Sequence, residues 1–312
     1  MYDPGSASPW VKFGLQLAVE AVRRVSDLAP ESGAEVVQQR DASQGSYRYW
    51  DPETLRVDKD LEEFFIERLT EEGIDAVMLS EEAGRRKIER KRPPQKSLDQ
   101  PVYFVSDPFD GSLLYKRSIP AFWYSALAIY TRPENEAEAR PLVAVVADCS
   151  ARTVYFCDAA GSYECPLTTD YQLGKAQANK PNDTRELREA FLETYLMKPH
   201  YLYPGSEQFK FLLNQVKFIL PNGGPSGFCD VASGKVDIYF AFKQPHTDIF
   251  PGIAIAQKAG CTVTTFEGRE VNFEARVENR YNIVCSANQS LHAKVLDLLK
   301  ANRITDNLGI KE

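Results

Sequence analysis

The stretch that most constrains this chain is Val102-Tyr-Phe-Val-Ser-Asp-Pro-Phe-Asp-Gly-Ser112, an apolar run that delivers two carboxylates, Asp107 and Asp110, in quick succession. The run predicts a buried strand over 102–105, and Pro108 constrains the turn between the acids. Two anions forced that close are costly unless a divalent cation neutralises them, and hard Mg2+ prefers oxygen ligands in octahedral array. Gly111 lets the backbone approach a ligand, and Ser112 can open a helix whose first N–H groups receive a phosphate. Taken alone, the same run also reads as a turn closed by an Asx cap.

Distant carboxylates narrow that choice. The strand-like run Val77-Met-Leu79 leads into Glu81 and Glu82. Strand alternation sends these side chains to opposite sides, so one can enter a metal site while the other stays in solvent or forms a structural pair. Asp248 opens the apolar helix Asp-Ile-Phe-Pro-Gly-Ile-Ala-Ile-Ala, where N-capping and metal binding compete as explanations. Asp58 sits just before a helix predicted over 60–72, with Leu61, Phe64, Phe65 and Leu69 as its apolar face and Gly73 at its end.

Periodicity predicts an amphipathic first helix over 10–28, stopped by Pro30. Strands over 77–79, 102–105, 124–130, 142–147 and 153–156 suggest one antiparallel or mixed sheet, with 132–140 as a long hairpin loop. The sequence turns polar over 168–186. Beyond it, strands over 217–220, 236–242, 261–265 and 281–285 alternate with helices near Cys229, over 249–259 and over 290–301, as in an α/β layer. This divides the chain into an N-terminal α+β subdomain, 1–170, with most of the metal ligands, and a C-terminal α/β subdomain, 171–312, with Asp248 and the substrate-recognition wall.

A formal net charge of −7 argues against a nucleic acid polymer or an anionic membrane as partner. No apolar run reaches the roughly 18 residues of a membrane span, and the start Met-Tyr-Asp-Pro-Gly lacks signal-peptide regions, so the expected location is cytoplasmic. The 6 cysteines form no Cys-x-x-Cys pair, which favours buried thiols over zinc or a disulfide framework.

Several polar segments keep two readings. The basic stretch Gly84–Ser97 is either a solvated mobile loop or an attractor of anionic substrate. Lys116 and Arg117 either bind a second phosphate or face solvent. The loop Pro221–Gly227 either offers backbone N–H groups to an anion through Gly223 and Gly224 or is an ordinary turn. His246 is the one histidine close to a motif, and histidine catalysis is not expected.

Together, Asp58, Glu81-Glu82, Asp107-Pro-Phe-Asp-Gly-Ser112 and Asp248-Ile-Phe-Pro-Gly252 followed by Lys258-Ala-Gly260 resemble the inositol monophosphatase family, within the lithium-sensitive, fructose-bisphosphatase-like phosphatases. The resemblance implies a layered α-β-α-β-α sandwich with metals between its halves. It implies a Mg2+-dependent phosphomonoesterase acting on a small phosphate ester, sugar or polyol phosphate first. Fructose 1,6-bisphosphate and 3'-phosphoadenosine 5'-phosphate are alternatives, and a catalytically inactive regulatory homologue is the non-enzyme alternative.

Carried over by position, Glu81, Asp107 and the Phe109 carbonyl would hold one Mg2+, and Asp107, Asp110 and Asp248 a second, with Glu81 reaching a more weakly held third. Asp58 and Ser112 match the pair that orients the nucleophilic water, with Glu81 beside it, and Asp110, Gly111 and Ser112 match the phosphate-contacting residues. Mn2+ as a substitute, Li+ as an inhibitor and a homodimer follow by the same analogy. The sequence departs from the family pattern at Thr247, where Trp is usual, and at Gly260-Cys261, where Gly-Gly is usual. It also has Ala241 where inositol-specific members carry a Glu that binds sugar hydroxyls, so the substrate wall at Ala241 is expected to disfavour inositol phosphate.

Overall fold

The computed structural model describes residues 7–28, 30–39, 53–93 and 95–308. The chain start, Met1–Gly5, and Pro94 of the basic stretch lie outside the described residues. Among the described residues no helix is long and apolar enough to cross a membrane.

The layers follow the expected α-β-α-β-α order, and strand alternation explains it. In the 8-stranded sheet, Val102 and Phe104 pack outward against the helices Pro9–Asp27 and Arg56–Glu71. Their neighbours Tyr103 and Val105 pack inward against Pro225–Ala232 and His246–Ala259. On the far side of those inner helices lies a 5-stranded sheet. Its Tyr239, Ala241, Ile283 and Cys285 face inward, while Ile238, Phe240 and Val284 face an outer layer that includes Gln289–Ala301. A sheet buried on both faces needs near-continuous apolar strands, which is what these runs supply.

The ends of two parallel strands set the site. Ala76–Ser80 pairs in parallel with Val102–Asp110, Ser80 opposite Ser106, so Glu81, just past its strand, and Asp107, still within its own, lie at one level. The Glu81 amide donates to the Ser106 carbonyl at 3.1 Å, fixing that level. The strand from Val102 runs further than expected, through Pro108 to Asp110, because a register shift between Asp107 and Asp110 accommodates a residue without an N–H.

Other expectations are corrected. The helix expected from 60 spans Arg56–Glu71, so Asp58 lies in its first turn and not before it. Asp248 is the third residue of His246–Ala259 and Pro245 is the N-cap, so Asp248 is not a capping residue. The basic stretch begins as an edge strand, Gly84–Lys87, antiparallel to Ala76–Ser80. Arg85 pairs with Glu136, Arg90 with Asp99 and Arg92 with Glu72, which favours a cation-guarded sheet edge over a mobile loop. Strand Phe191–Glu193 and helix Pro199–Gln208 were not expected from the sequence. All 6 cysteines are free and buried.

Candidate active site

Three chain segments bring carboxylates together. Glu81 follows the first parallel strand, Asp107 ends the apolar core of the second, and Asp248 comes from the inner helix beneath them. Their oxygens all lie within 4.8 Å of one another. Asp107 and Asp248 are buried, at 2% and 6% exposure, so water does little to screen the repulsion. Burial pushes the Asp248 carboxyl well above the ordinary carboxylate range, and the charges of Asp110 and Glu81 push it further, while Arg280 opposes the shift. Hard oxygens gathered this closely, with Asp248 resisting ionisation among them, fit a divalent cation, which would relieve the burial cost and the repulsion at once.

Asp107 also satisfies the local reading of its motif. Its Oδ1 accepts from the Phe109 amide at 3.1 Å, an Asx-type bond that fixes the side chain at the register shift within the strand. The register shift turns Phe109 to the outer core, edge-on to Tyr115 at 5.1 Å between ring centroids. Gly111 has φ 109° and packs against the Phe122 carbonyl, where a Cβ would collide. Ser112 then opens a one-turn helix, Ser112–Tyr115.

Ser112 Oγ donates to Asp58 Oδ1 at 2.9 Å, and Asp58 Oδ2 accepts from the Leu55 amide at 2.6 Å. Asp58, 1% exposed, therefore reaches the site through Ser112. Glu82 takes the structural role, accepting from Thr54 Oγ1 at 2.5 Å. Both glutamates lie in the turn after the strand Ala76–Ser80, Glu81 beside Asp107 and Asp248 and Glu82 bonded to Thr54.

These groups border a cavity of about 260 Å3, whose walls include Glu81, Asp107, Asp110, Ser112, Asp248 and the loop residues Gly223 and Gly224. Gly224 has φ 69°, and a Cβ there would collide with Asp110 Oδ2 and lie 3.8 Å from Asp248 Oδ2. The loop backbone thus closes over the acids.

Ala241 does not belong to this wall. It is fully buried between the sheets and absent from the cavity lining. Counting back from Asp248 fails because the strand Ile238–Pro245 shifts register between Ala241 and Gln244, and Lys243 and Gln244 line the cavity in its place. Lys116 pairs with Glu53 at 2.6 Å and, like Arg117, lies outside the lining. His246 is fully buried, its Nε2 2.6 Å from the Glu274 carbonyl, and burial lowers its pKa to about 4.

Sequence reasoning missed Tyr195, Lys198, Tyr201, Lys243 and Arg280, all on the cavity wall. For Tyr195, Lys198 and Tyr201 the signal was the brief run Ala190-Phe-Leu192, too short to separate a buried strand from a loop, while Lys243 and Arg280 adjoin the strands read over 236–242 and 281–285, whose pattern does not mark the register shift.

The fold agrees with what comparison with known proteins shows. The model of the inositol monophosphatase family matches residues 9–303, and the chain belongs to that family. A fructose-1,6-bisphosphatase/inositol-1-monophosphatase of Archaeoglobus fulgidus is 26% identical over 203 residues, covering 64% of this chain and 70% of the relative. The Nus factor SuhB of Pasteurella multocida is 27% identical over 259 residues, 81% of this chain and 85% of that protein. Among solved structures, the extragenic suppressor protein suhB of Bartonella henselae superposes with a TM-score of 0.69 at 18% identity, covering 93% of this chain and 97% of that one.

Proposed function

We propose that this protein is a Mg2+-dependent phosphomonoesterase acting on a small phosphorylated metabolite. The observation that carries the reading is the approach of Glu81, Asp107 and Asp248 oxygens within 4.8 Å on a cavity that also exposes Ser112. Glu81, Asp107 and the Phe109 carbonyl would hold one ion, and Asp107, Asp110 and Asp248 a second. Bound there, Mg2+ supplies acidification of a water and positive charge against the phosphoryl oxygens.

The chain's own groups do the positioning. Ser112 donates its proton to Asp58, which leaves the Oγ lone pairs to accept a hydrogen bond from the attacking water. Asp58 is the acceptor at the end of that relay and is held by the Leu55 amide. The Leu114 and Tyr115 amides donate to the Gly111 carbonyl, which leaves the Ser112 and Leu113 N–H groups at the start of the turn to bind phosphoryl oxygens. Attack is then in line, with Asp110 near the departing oxygen and no phospho-enzyme.

A cavity of about 260 Å3 suits a sugar or polyol phosphate better than a polymer. The test is phosphate release from a panel of small esters with Mg2+, for the native protein and Asp107→Asn. Release from at least one ester, with loss in the variant, is expected. Folded protein that binds Mg2+ yet releases phosphate from none of the panel would leave the regulatory alternative, which the Nus factor relative suggests, as the better reading.

A further inference from the structure

Glu62 is a buried carboxylate that the phosphatase reading does not use. It is 9% exposed and lies on the helix Arg56–Glu71, four residues after Asp58. That spacing puts both side chains on one face of the helix, about one turn apart. Asp58 reaches one side of the carboxylate site through Ser112. Glu62 reaches the other, where the chain turns at Glu81.

A carboxylate taken out of water needs hydrogen bonds in place of its hydration. Glu62 Oε1 accepts from the Ala83 amide at 2.7 Å and from the fully buried Ser80 hydroxyl. The Ser80 Oγ in turn accepts from the Glu82 amide at 3.3 Å. The third amide of the turn, that of Glu81, donates to the Ser106 carbonyl at 3.1 Å. Every backbone N–H from Glu81 to Ala83 is therefore held, one by the neighbouring strand and two by Glu62 and Ser80. These three residues lie outside the strands Ala76–Ser80 and Gly84–Lys87 that flank them, so no ladder fixes them otherwise. Thr54, just before the same helix, takes the Glu82 side chain.

We infer that Glu62 is a positioning residue for Glu81: by bonding to Ser80 and the Ala83 amide it fixes the turn with the Glu81 carboxylate beside Asp107 and Asp248. The inference rests on the metal-site part of the proposed function. Groups that orient a ligand contribute to metal affinity without touching the ion, because the ligand is set in place before binding. The helix Arg56–Glu71 then serves both sides of the site, Asp58 acting on Ser112 and Glu62 on Glu81. The role needs an acceptor at the end of the side chain and not its charge. Glutamine supplies that acceptor and alanine does not.

The test is calorimetric Mn2+ binding by the native protein, Glu62→Gln, Glu62→Ala and Ser80→Ala, with Glu62→Ala repeated in a Glu81→Gln background. Glu62→Ala is expected to weaken binding about 10- to 100-fold. Ser80→Ala should weaken it about fivefold, and Glu62→Gln by less than about threefold. In the Glu81→Gln background Glu62→Ala should cause no further loss, because the ligand it positions is gone. A role confined to folding would not show that dependence. Amide hydrogen exchange in chelator should quicken over residues 81–83 in Glu62→Ala. Affinity unmoved by Glu62→Ala, or by Ser80→Ala should the first variant not fold, would overturn the positioning role. So would equal losses in Glu62→Gln and Glu62→Ala, or a loss that persists undiminished in the Glu81→Gln background. Native protein that binds no Mn2+ would overturn the metal reading and the role of Glu62 with it, whereas the other adverse outcomes remove the role of Glu62 alone.

Discussion

Ser112 Oγ and Asp58 Oδ1 lie 2.9 Å apart although 54 positions separate them in sequence. The bond joins the first turn of one helix to the first turn of another, and makes the two residues one unit. Ser112→Ala and Asp58→Asn should each lower kcat by about 10²- to 10⁴-fold. The double variant should be no slower than the slower single one. Additive losses in that cycle would show that the residues act separately. Asp58→Ala should also cost about 1 kcal/mol of stability, because the Leu55 amide loses its acceptor.

Adjacent glutamates separate in their contacts, Glu81 beside Asp107 and Asp248 and Glu82 bonded to Thr54. Glu81→Gln should weaken Mn2+ or Mg2+ binding, measured by calorimetry, by at least about tenfold, a change of roughly 1.4 kcal/mol. Glu82→Gln should leave metal affinity in place and lower the unfolding free energy by about 1 kcal/mol through its bond to Thr54. Equal effects of both changes on metal affinity would contradict the division.

Two glycines with positive φ provide a matched pair. Gly224→Ala adds both backbone strain and a collision with Asp110, whereas Gly260 has φ 93° and open space around a built Cβ. Both alanine variants should lose about 1–2 kcal/mol from strain. Only Gly224→Ala should also lose metal affinity. Retained affinity in Gly224→Ala would mean that the loop yields without disturbing Asp110.

His292 provides a pH signature away from the acids. It is 3% exposed, between Thr264 Oγ1 at 2.8 Å and Ser286 Oγ at 3.1 Å, and burial lowers its pKa from 6.5 to about 4. Above pH 6.5 the ring is neutral in both states and its contribution to stability is complete. As pH falls from there towards 4 the unfolded chain binds the proton first, so stability declines by up to about 3 kcal/mol. Buried His246, lowered to about 4 in the same way, adds an equal slope, so urea unfolding in chelator across that range should show both and His292→Gln should remove about half. An unchanged slope in the variant would assign the effect to other groups.

The layers were legible because both sheets announce themselves locally. Runs such as Val102–Val105 and Tyr124–Tyr130 are apolar on both faces, and only a strand buried between two helical layers tolerates that. The acids were legible for the same reason: Glu81, Asp107 and Asp110 follow strand-like runs, and a strand end projects its next residues into one place.

What the sequence could not supply was register. The shift at Asp107–Asp110 carries the strand through a proline, and the shift at Ala241–Gln244 removes Ala241 from the wall and places Lys243 there. A register shift leaves no mark in the local pattern of apolar and polar residues, because it is paid for by partners on other strands, such as Asn282 holding the Lys243 amide at 2.9 Å. By itself, then, the sequence determined the layered fold and the identity of the acids. Tertiary structure alone decided which glutamate bonds to Thr54 and which side chains line the cavity, since both depend on pairing between segments far apart in the chain.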